Sequence, residues 1–173
     1  MHIRVLTLAA LFGALVPATA SAAACPSATV EPQSSALGAQ ARSTLCLLNA
    51  ERAQRGLAPL RANPTLGRAA RRHARDMVRR RFFGHVSPSG ATVDDRVRRA
   101  GYRGGRRTGE TIAWGTGPDA APAAVVEAWM ASPGHRSVIL DPNFRDIGLG
   151  VVMGSPQGSA GGATVTVDFA RRG

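Results

Sequence analysis

The sequence has no lysine, few aromatic residues and only two cysteines, and each shortage excludes a class of protein. Of its 173 residues 5% are aromatic, and all 22 basic side chains are Arg. Two Cys in a chain of this length exclude a disulfide-rich mini-protein. No apolar run reaches the ~18–20 residues that a transmembrane helix requires. The length fits one globular domain with its own hydrophobic core.

Acidic residues are also few, and the charge therefore has one predominant sign. Eleven acidic side chains give a net charge of +11, which favours anionic partners. The Arg residues are spread along the chain, few aromatic residues could stack on bases, and no nucleic-acid-binding motif is present. We expect no specific nucleic acid partner. Adhesion to an anionic cell-envelope polymer and a merely solvated basic surface both stay open.

The first 24 residues are typical of a secretory signal peptide. Arg4 precedes an apolar stretch from Val5 to Val16, and small residues from Ala18 to Ala24 provide cleavage sites. The alternative is a buried N-terminal helix. The signal peptide predicts a secreted, extracellular protein with no transmembrane segment after processing. Separately, we expect the protein to be a monomer.

Export would place both cysteines in an oxidising compartment, where a disulfide between Cys25 and Cys46 is expected. The bond would attach the Pro- and Ser-rich residues 25–36, which read as a linker, to the first helix. The alternative is a lipid anchor on Cys25, although Ala22 stands where a large aliphatic residue usually precedes such a cysteine. Residues 37–173 then form the folded domain.

Hydrophobic periodicity and capping residues divide this domain into helices and strands. Asn63 followed by Pro64 predicts one helix start, and Thr92 with two following acidic residues predicts another. Helices are predicted over 37–55, 64–81, 92–100 and 120–131, and strands over 110–114, 147–153 and 163–169. Helices first and a hairpin last indicate an α+β fold, with helices on both sides of a small antiparallel sheet.

Two of the three histidines that follow the signal peptide, together with one glutamate, are the candidate site residues. His73 falls on the apolar face of its helix and is interpreted as a packed, hydrogen-bonded core residue. His85 and His135 follow Gly residues in predicted loops, where functional side chains are often placed. Glu110 shares a strand face with apolar residues, so it should be buried and paired, with one or both loop histidines as partners. A purely structural hydrogen bond that fixes the loops is the competing interpretation.

The chemistry of these residues leaves the reaction open. No zinc-protease helix motif, Cys-x-x-Cys pair, phosphate-binding loop or serine elbow is present. Ser87 is interpreted as a turn residue before Pro88 rather than a nucleophile. Two imidazoles and a carboxylate suit a divalent metal such as Zn²⁺, with His85 and His135 as ligands.

A series of motifs, in order over roughly residues 43–170, resembles the bacterial SCP-domain branch of the CAP superfamily, which includes cysteine-rich secretory, antigen 5 and pathogenesis-related proteins. The motifs are Leu48-Asn49-Ala50-Glu51-Arg52, Gly56-Leu57-Ala58-Pro59-Leu60, His73-Ala74-Arg75-Asp76-Met77, Phe82-Phe83-Gly84-His85-Val86-Ser87-Pro88-Ser89-Gly90, Gly101-Tyr102, Gly109-Glu110-Thr111-Ile112-Ala113, Trp129-Met130-Ala131-Ser132-Pro133-Gly134-His135-Arg136 and Ile147-Gly148-Leu149-Gly150.

The resemblance implies an α-β-α sandwich with a cleft that holds two His and two Glu in fully equipped members. His85, Glu110 and His135 match three of the four. The fourth, an acidic residue after the Trp of the fourth helix, has no match, because Glu127 precedes Trp129. Thr111 also stands where Asn is usual.

The resemblance favours a binding module for a divalent metal, a lipid or another small ligand. A hydrolase that depends on these His and Glu residues is the alternative, and the resemblance by itself does not identify an enzyme. An Arg-rich adhesin for anionic envelope polymers is a third hypothesis.

Overall fold

The structure is a computed structural model that describes residues 25–103, 107–159 and 161–171. The predicted signal peptide, residues 1–24, lies outside the described residues, and so does part of the basic stretch at 103–107. No helix in the described ranges is long and apolar enough to cross a membrane.

The described chain contains five α-helices, one 3-10 helix and four strands. In order they are α1 (Leu37–Ala53), β1 (Arg61–Ala62), α2 (Pro64–Arg80), α3 (Val93–Arg99), β2 (Thr108–Thr116), a 3-10 helix (Gly117–Ala120), α4 (Pro122–Ala131), α5 (Pro133–Ile139), β3 (Asp146–Met153) and β4 (Gly162–Ala170). The predicted helix starts are confirmed: the Asn63 side chain accepts from the N–H groups of Thr65 and Leu66, and Thr92 forms a capping box with Asp95.

The four strands form one sheet in the order β1-β3-β4-β2. β4 is antiparallel to both β3 and β2, as predicted for a small antiparallel sheet. The two-residue strand β1 was not predicted, and it pairs with β3 in parallel. Two residues are too few to show the period-2 pattern by which strands are recognised in a sequence.

Helices cover both faces of the sheet, which confirms the predicted α-β-α arrangement. On β4 the predicted alternation is present: Val165, Val167 and Phe169 belong to the main apolar core, which they share with α1 and α4. The intervening residues Thr164, Thr166 and Asp168 point the other way, and they are buried as well. The polar face of β4 is therefore covered rather than solvated.

Two glycines of β3 let α2 lie directly on the polar side of the sheet. A Cβ atom at Gly148 would be 2.1 Å from the Leu66 carbonyl carbon, and one at Gly150 would be 2.3 Å from the Arg71 nitrogen. Backbone therefore packs on backbone at this contact. The close approach brings the middle of α2, including His73, next to the neighbouring strands.

The chain after α4 is the main departure from the sequence prediction. The stretch Ser132-Pro133-Gly134-His135 was interpreted as a turn, but Pro133 begins α5. Proline is favoured in the first turn of a helix, where its missing N–H has no partner to lose. His135 is therefore on a helix and not in a loop.

The predicted disulfide between Cys25 and Cys46 is present, with 5.8 Å between the two Cα atoms. Residues 25–36 contain no helix or strand, yet they lie against the domain. Ala28 is buried, its carbonyl accepts from the N–H of Ala123, and the Gln40 amide donates to the carbonyl of Val30. The bond thus fixes this segment to α1.

Candidate functional site

Glu110 is the centre of the candidate site, and it is buried on β2, as the sequence predicts. Its two carboxylate oxygens have different partners. The Nδ1 atom of His85 lies 2.8 Å from Oε1, and the guanidinium of Arg96 lies 2.5 Å from Oε2. A buried carboxylate needs such partners, because burial alone disfavours its charged form.

The environment of Glu110 favours its ionised form. Burial raises the pKa of Glu110, but the hydrogen bond from His85 and the positive charge of Arg96 lower it, and the resulting pKa lies below the usual value. An ionised carboxylate only accepts hydrogen bonds, so the proton in the contact with His85 lies on Nδ1. The other ring nitrogen of His85, Nε2, is not the one paired with Glu110.

His85 follows α2 in the loop where the sequence places it, and 52% of its side chain is exposed. Arg96 of α3 holds this loop through one guanidinium nitrogen, which donates to the carbonyls of His85 and Ala91, each at 2.9 Å. Arg96 therefore fixes both Glu110 and the backbone that carries His85. The imidazole of His85 is thus half exposed, while the carboxylate of Glu110 that orients it is buried.

The structure brings His135 close to His85 but pairs only His85 with Glu110. The ring centroids of His85 and His135 are 6.3 Å apart. Burial, and secondarily the neighbouring His85, lower the pKa of His135, so its ring is neutral at pH 7. The surface formed by His85 and His135, called here the imidazole face, carries two aromatic nitrogen heterocycles above a buried ion pair.

His73 lies behind this arrangement on α2. It is fully buried, and its Nε2–H donates to the Gly84 carbonyl at 3.0 Å, as expected for a packed core histidine. The same nitrogen is 3.8 Å from Glu110 Oε2. Burial lowers the pKa of His73 more than the nearby Glu110 raises it, which keeps the ring neutral. His73 thus belongs to the surroundings of Glu110, which the sequence does not indicate.

A second buried carboxyl, Asp168 on β4, lies directly opposite Glu110 in the β2–β4 register. No N–H or hydroxyl of the described residues donates to either of its oxygens. Burial and then the negative charge of Glu110 raise the pKa of Asp168 well above its usual value. The surroundings thus favour the charged form of Glu110 and the protonated form of Asp168.

The expected divalent metal can be tested against this arrangement. A zinc site uses three or more His, Cys or carboxylate ligands, and the described residues contain no group of three such side chains in position to hold an ion. Both oxygens of Glu110 are already engaged, one of them by the permanent positive charge of Arg96. The arrangement of His85, Glu110 and His135 therefore does not fit a resident metal ion.

Among the described residues, neither cysteine is free to act as a nucleophile at the imidazole face, and Ser87 has a structural role. Both cysteines are in the disulfide, and the described chain has no free cysteine. Ser87 is in a turn, as predicted: its N–H donates to the Ala91 carbonyl, and its own carbonyl accepts from Gly90. The groups present can bind a polar ligand or move a proton.

Sequence reasoning missed Arg96 and Asp168. Arg96 was interpreted only as a basic residue favourable near the end of a helix. Asp168 was placed on the polar face of its strand, but that strand was paired with β3 alone. The pairing of β2 with β4 is what sets the two carboxyls opposite each other, and no local signal predicts that pairing.

Residues 45–169 match the family model described as CAP, the cysteine-rich secretory protein family. A relative from Bacillus subtilis, "Uncharacterized protein YkwD", is 40% identical over 118 residues, which are 68% of this chain and 44% of that protein. The chain thus spans less than half the length of this relative.

Solved structures agree on the fold. An extracellular protein of Bacillus anthracis with an SCP domain has a TM-score of 0.69 at 24% identity, and the match covers 82% of this chain and 44% of that one. An outer surface protein of Borrelia burgdorferi has a TM-score of 0.65 at 22% identity, with 75% of this chain and 90% of that one covered.

Proposed function

Because the chain belongs to the cysteine-rich secretory protein family, we propose that it is an extracellular binding domain whose imidazole face holds a small polar ligand without covalent chemistry. The location is supported by the signal-like residues 1–24, by the Cys25–Cys46 disulfide and by the description of the Bacillus anthracis structure as an extracellular protein. The binding role is supported by the site itself.

The observation that carries this proposal is the contact between His85 and buried Glu110. It fixes the tautomer of His85, so that Nε2 is the nitrogen presented to solvent. His135 adds a neutral ring beside it. The unprotonated ring nitrogen of His135 accepts a hydrogen bond, so the face suits a ligand that carries hydroxyl or amide N–H groups.

Histidine side-chain NMR tests this role directly. We expect ¹⁵N shifts of His85 and His135 to move saturably with at least one probe from a set of polyols, N-acetylated sugars and short peptides, while buried His73 stays unchanged as an internal control. His85→Ala combined with His135→Ala should abolish the binding measured by calorimetry. Binding unchanged in this double variant, or failure of every probe to move the two resonances, would contradict the proposal.

The same contact supports a second candidate function, hydrolysis by a water molecule that His85 activates. A histidine oriented by a carboxylate is the acid–base part of many hydrolytic sites. On this hypothesis Glu110→Gln reduces kcat on a peptide, ester or phosphodiester substrate by about tenfold to a thousandfold, because Gln no longer stabilises the protonated ring. Activity that is unchanged in Glu110→Gln would exclude this site as its source.

A further inference from the structure

A cavity of about 310 Å³ lies between α2, the loop after it and α3, and neither His85 nor His135 lines it. The polar residues around it are mostly donors. Besides buried His73, three arginines, two serines and one carboxylate contribute, namely Arg72, Arg96, Arg99, Ser87, Ser89 and Asp76. This set differs from the imidazole face, where His85 and His135 are the groups presented.

Positive charge is in excess around this cavity. Arg96 is balanced by Glu110, and Asp76 is 3.6 Å from Arg80 on its own helix. Arg72 and Arg99 make no ion pair or hydrogen bond with any residue in the described ranges. Two guanidinium groups at one cavity are thus left without a counter-charge.

The cavity wall also has unused hydrogen-bonding capacity. The Nε–H group of Arg96 is buried and has no acceptor among the described residues, although buried donors are nearly always paired in folded proteins. Ser87 is more than nine-tenths buried, and its hydroxyl makes no hydrogen bond within the described chain. The turn from Ser87 to Gly90 holds this residue in position.

We propose that this cavity binds a phosphate group of the monoester type. Such a group carries close to two negative charges at pH 7 and three acceptor oxygens, which match the two unbalanced arginines and the serine hydroxyls. Guanidinium groups bind phosphate through paired N–H donors, which makes arginine well suited to this role. The site is independent of the function proposed for the imidazole face.

The test is calorimetric titration of the whole chain with inorganic phosphate and with glycerol 3-phosphate, at low and moderate salt. The test variant is Arg72→Gln combined with Arg99→Gln. The matched control is Arg75→Gln combined with Arg79→Gln, which removes the same charge from exposed positions of α2 that do not line the cavity.

We expect saturable binding by the wild type, a loss of about tenfold or more in the test variant, and a change of about twofold or less in the control. Equal losses in the two variants would show general attraction to a basic surface and overturn the site. No saturable binding by the wild type would do the same.

Two further measurements identify the ligand class and separate this site from the imidazole face. Glycerophosphocholine, a phosphodiester with one phosphate charge, should bind more weakly than glycerol 3-phosphate, and equal affinity would contradict the preference for a monoester. His85→Ala combined with His135→Ala should leave phosphate binding unchanged. A loss in that variant would place the anion on the imidazole face instead.

Discussion

At the scale of single residues, the site is governed by how β2 and β4 place two carboxyls side by side. Glu110 has His85 and Arg96 as partners, which favour its ionised form, whereas Asp168 has no donor in the described part of the chain and its raised pKa favours the protonated form. Two like groups in one buried place take different protonation states, because only one can be compensated. The charged form of Asp168 is therefore the one that this arrangement destabilises.

We predict that Asp168→Asn increases the free energy of unfolding at pH 7 by about 1 kcal/mol or more. The pKa of Asp168 is raised in the folded state, so its contribution is complete below its unfolded pKa of about 3.9 and is lost as pH rises toward the folded value. Asn does not titrate and avoids this loss, and its amide can donate to Glu110. Urea unfolding between pH 4 and 9 measures the difference.

The control for this prediction is Glu127→Gln, which alters an exposed carboxyl on α4. Its effect on the free energy of unfolding should be small, within about 0.5 kcal/mol at each pH. For Asp168→Asn the decisive quantity is the change with pH. A difference from the wild type that stays constant from pH 4 to pH 9 would show that Asp168 is not held protonated by the fold.

The sequence predicts the site only as far as the residue types reveal it. Scarce histidines next to Gly mark His85 and His135, and a carboxylate on an apolar strand face marks Glu110 as buried and in need of a partner. Arg96 is one of 22 identical cations, and nothing in its neighbourhood distinguishes it. Its role depends on where α3 lies relative to β2, which is set by tertiary packing.

At the scale of elements, the contact between α2 and β3 controls where the site residues lie. The backbones of α2 and β3 approach each other at Gly148 and Gly150, with no side chain between them. Helix α2 lines one side of the arginine-rich cavity and continues into the loop that carries His85. A displacement of this helix would therefore move both.

Gly148→Ala is predicted to reduce the free energy of unfolding by about 3 kcal/mol, because the new methyl group would overlap the backbone of Leu66 and Gly67. Helix α2 would have to shift outward. Gly134→Ala is the control, since a Cβ there meets nothing within 4 Å; it should leave the stability unchanged or raise it slightly. Equal stability of Gly148→Ala and the wild type in urea would refute this close packing.

Most elements are predictable from the sequence, and the exceptions have physical reasons. Long periodic stretches such as α2 and the alternating β4 carry enough residues for a pattern. Asn63 and Thr92 mark the starts of α2 and α3. Helix α5 has only seven residues and begins with the Pro and Gly that usually signal a turn. The order of strands depends on contacts distant in sequence, which no short window contains.

At the scale of the whole molecule, the fold combines a tightly packed centre with a segment fixed by a covalent bond. The core includes residues from α1, α4 and the sheet, and Cys25 and Ala28 add to its edge. Arg52 is buried there and donates to the carbonyls of Ala58, Ile139 and Asp141, linking α1 to the chain before β3. The position of residues 25–36 depends more on the disulfide than that of the packed core does.

Removal of the disulfide by Cys25→Ser combined with Cys46→Ser should lower the free energy of unfolding by about 3 kcal/mol, because the bond closes a loop of 21 residues in the unfolded chain. Urea unfolding with and without dithiothreitol measures this effect. The wild type under reducing conditions should match the variant, and the variant should not respond to the reductant. A wild-type midpoint that dithiothreitol leaves unchanged would count against the bond.

The position of β4 in the sheet has a consequence for how the protein is made. β4 pairs with β3 on one side and β2 on the other, yet it is the last of the four strands to leave the ribosome. Until residue 170 emerges, β2 and β3 have no common partner and their apolar sides stay uncovered. The complete sheet can therefore form only when nearly all of the described chain has been synthesised.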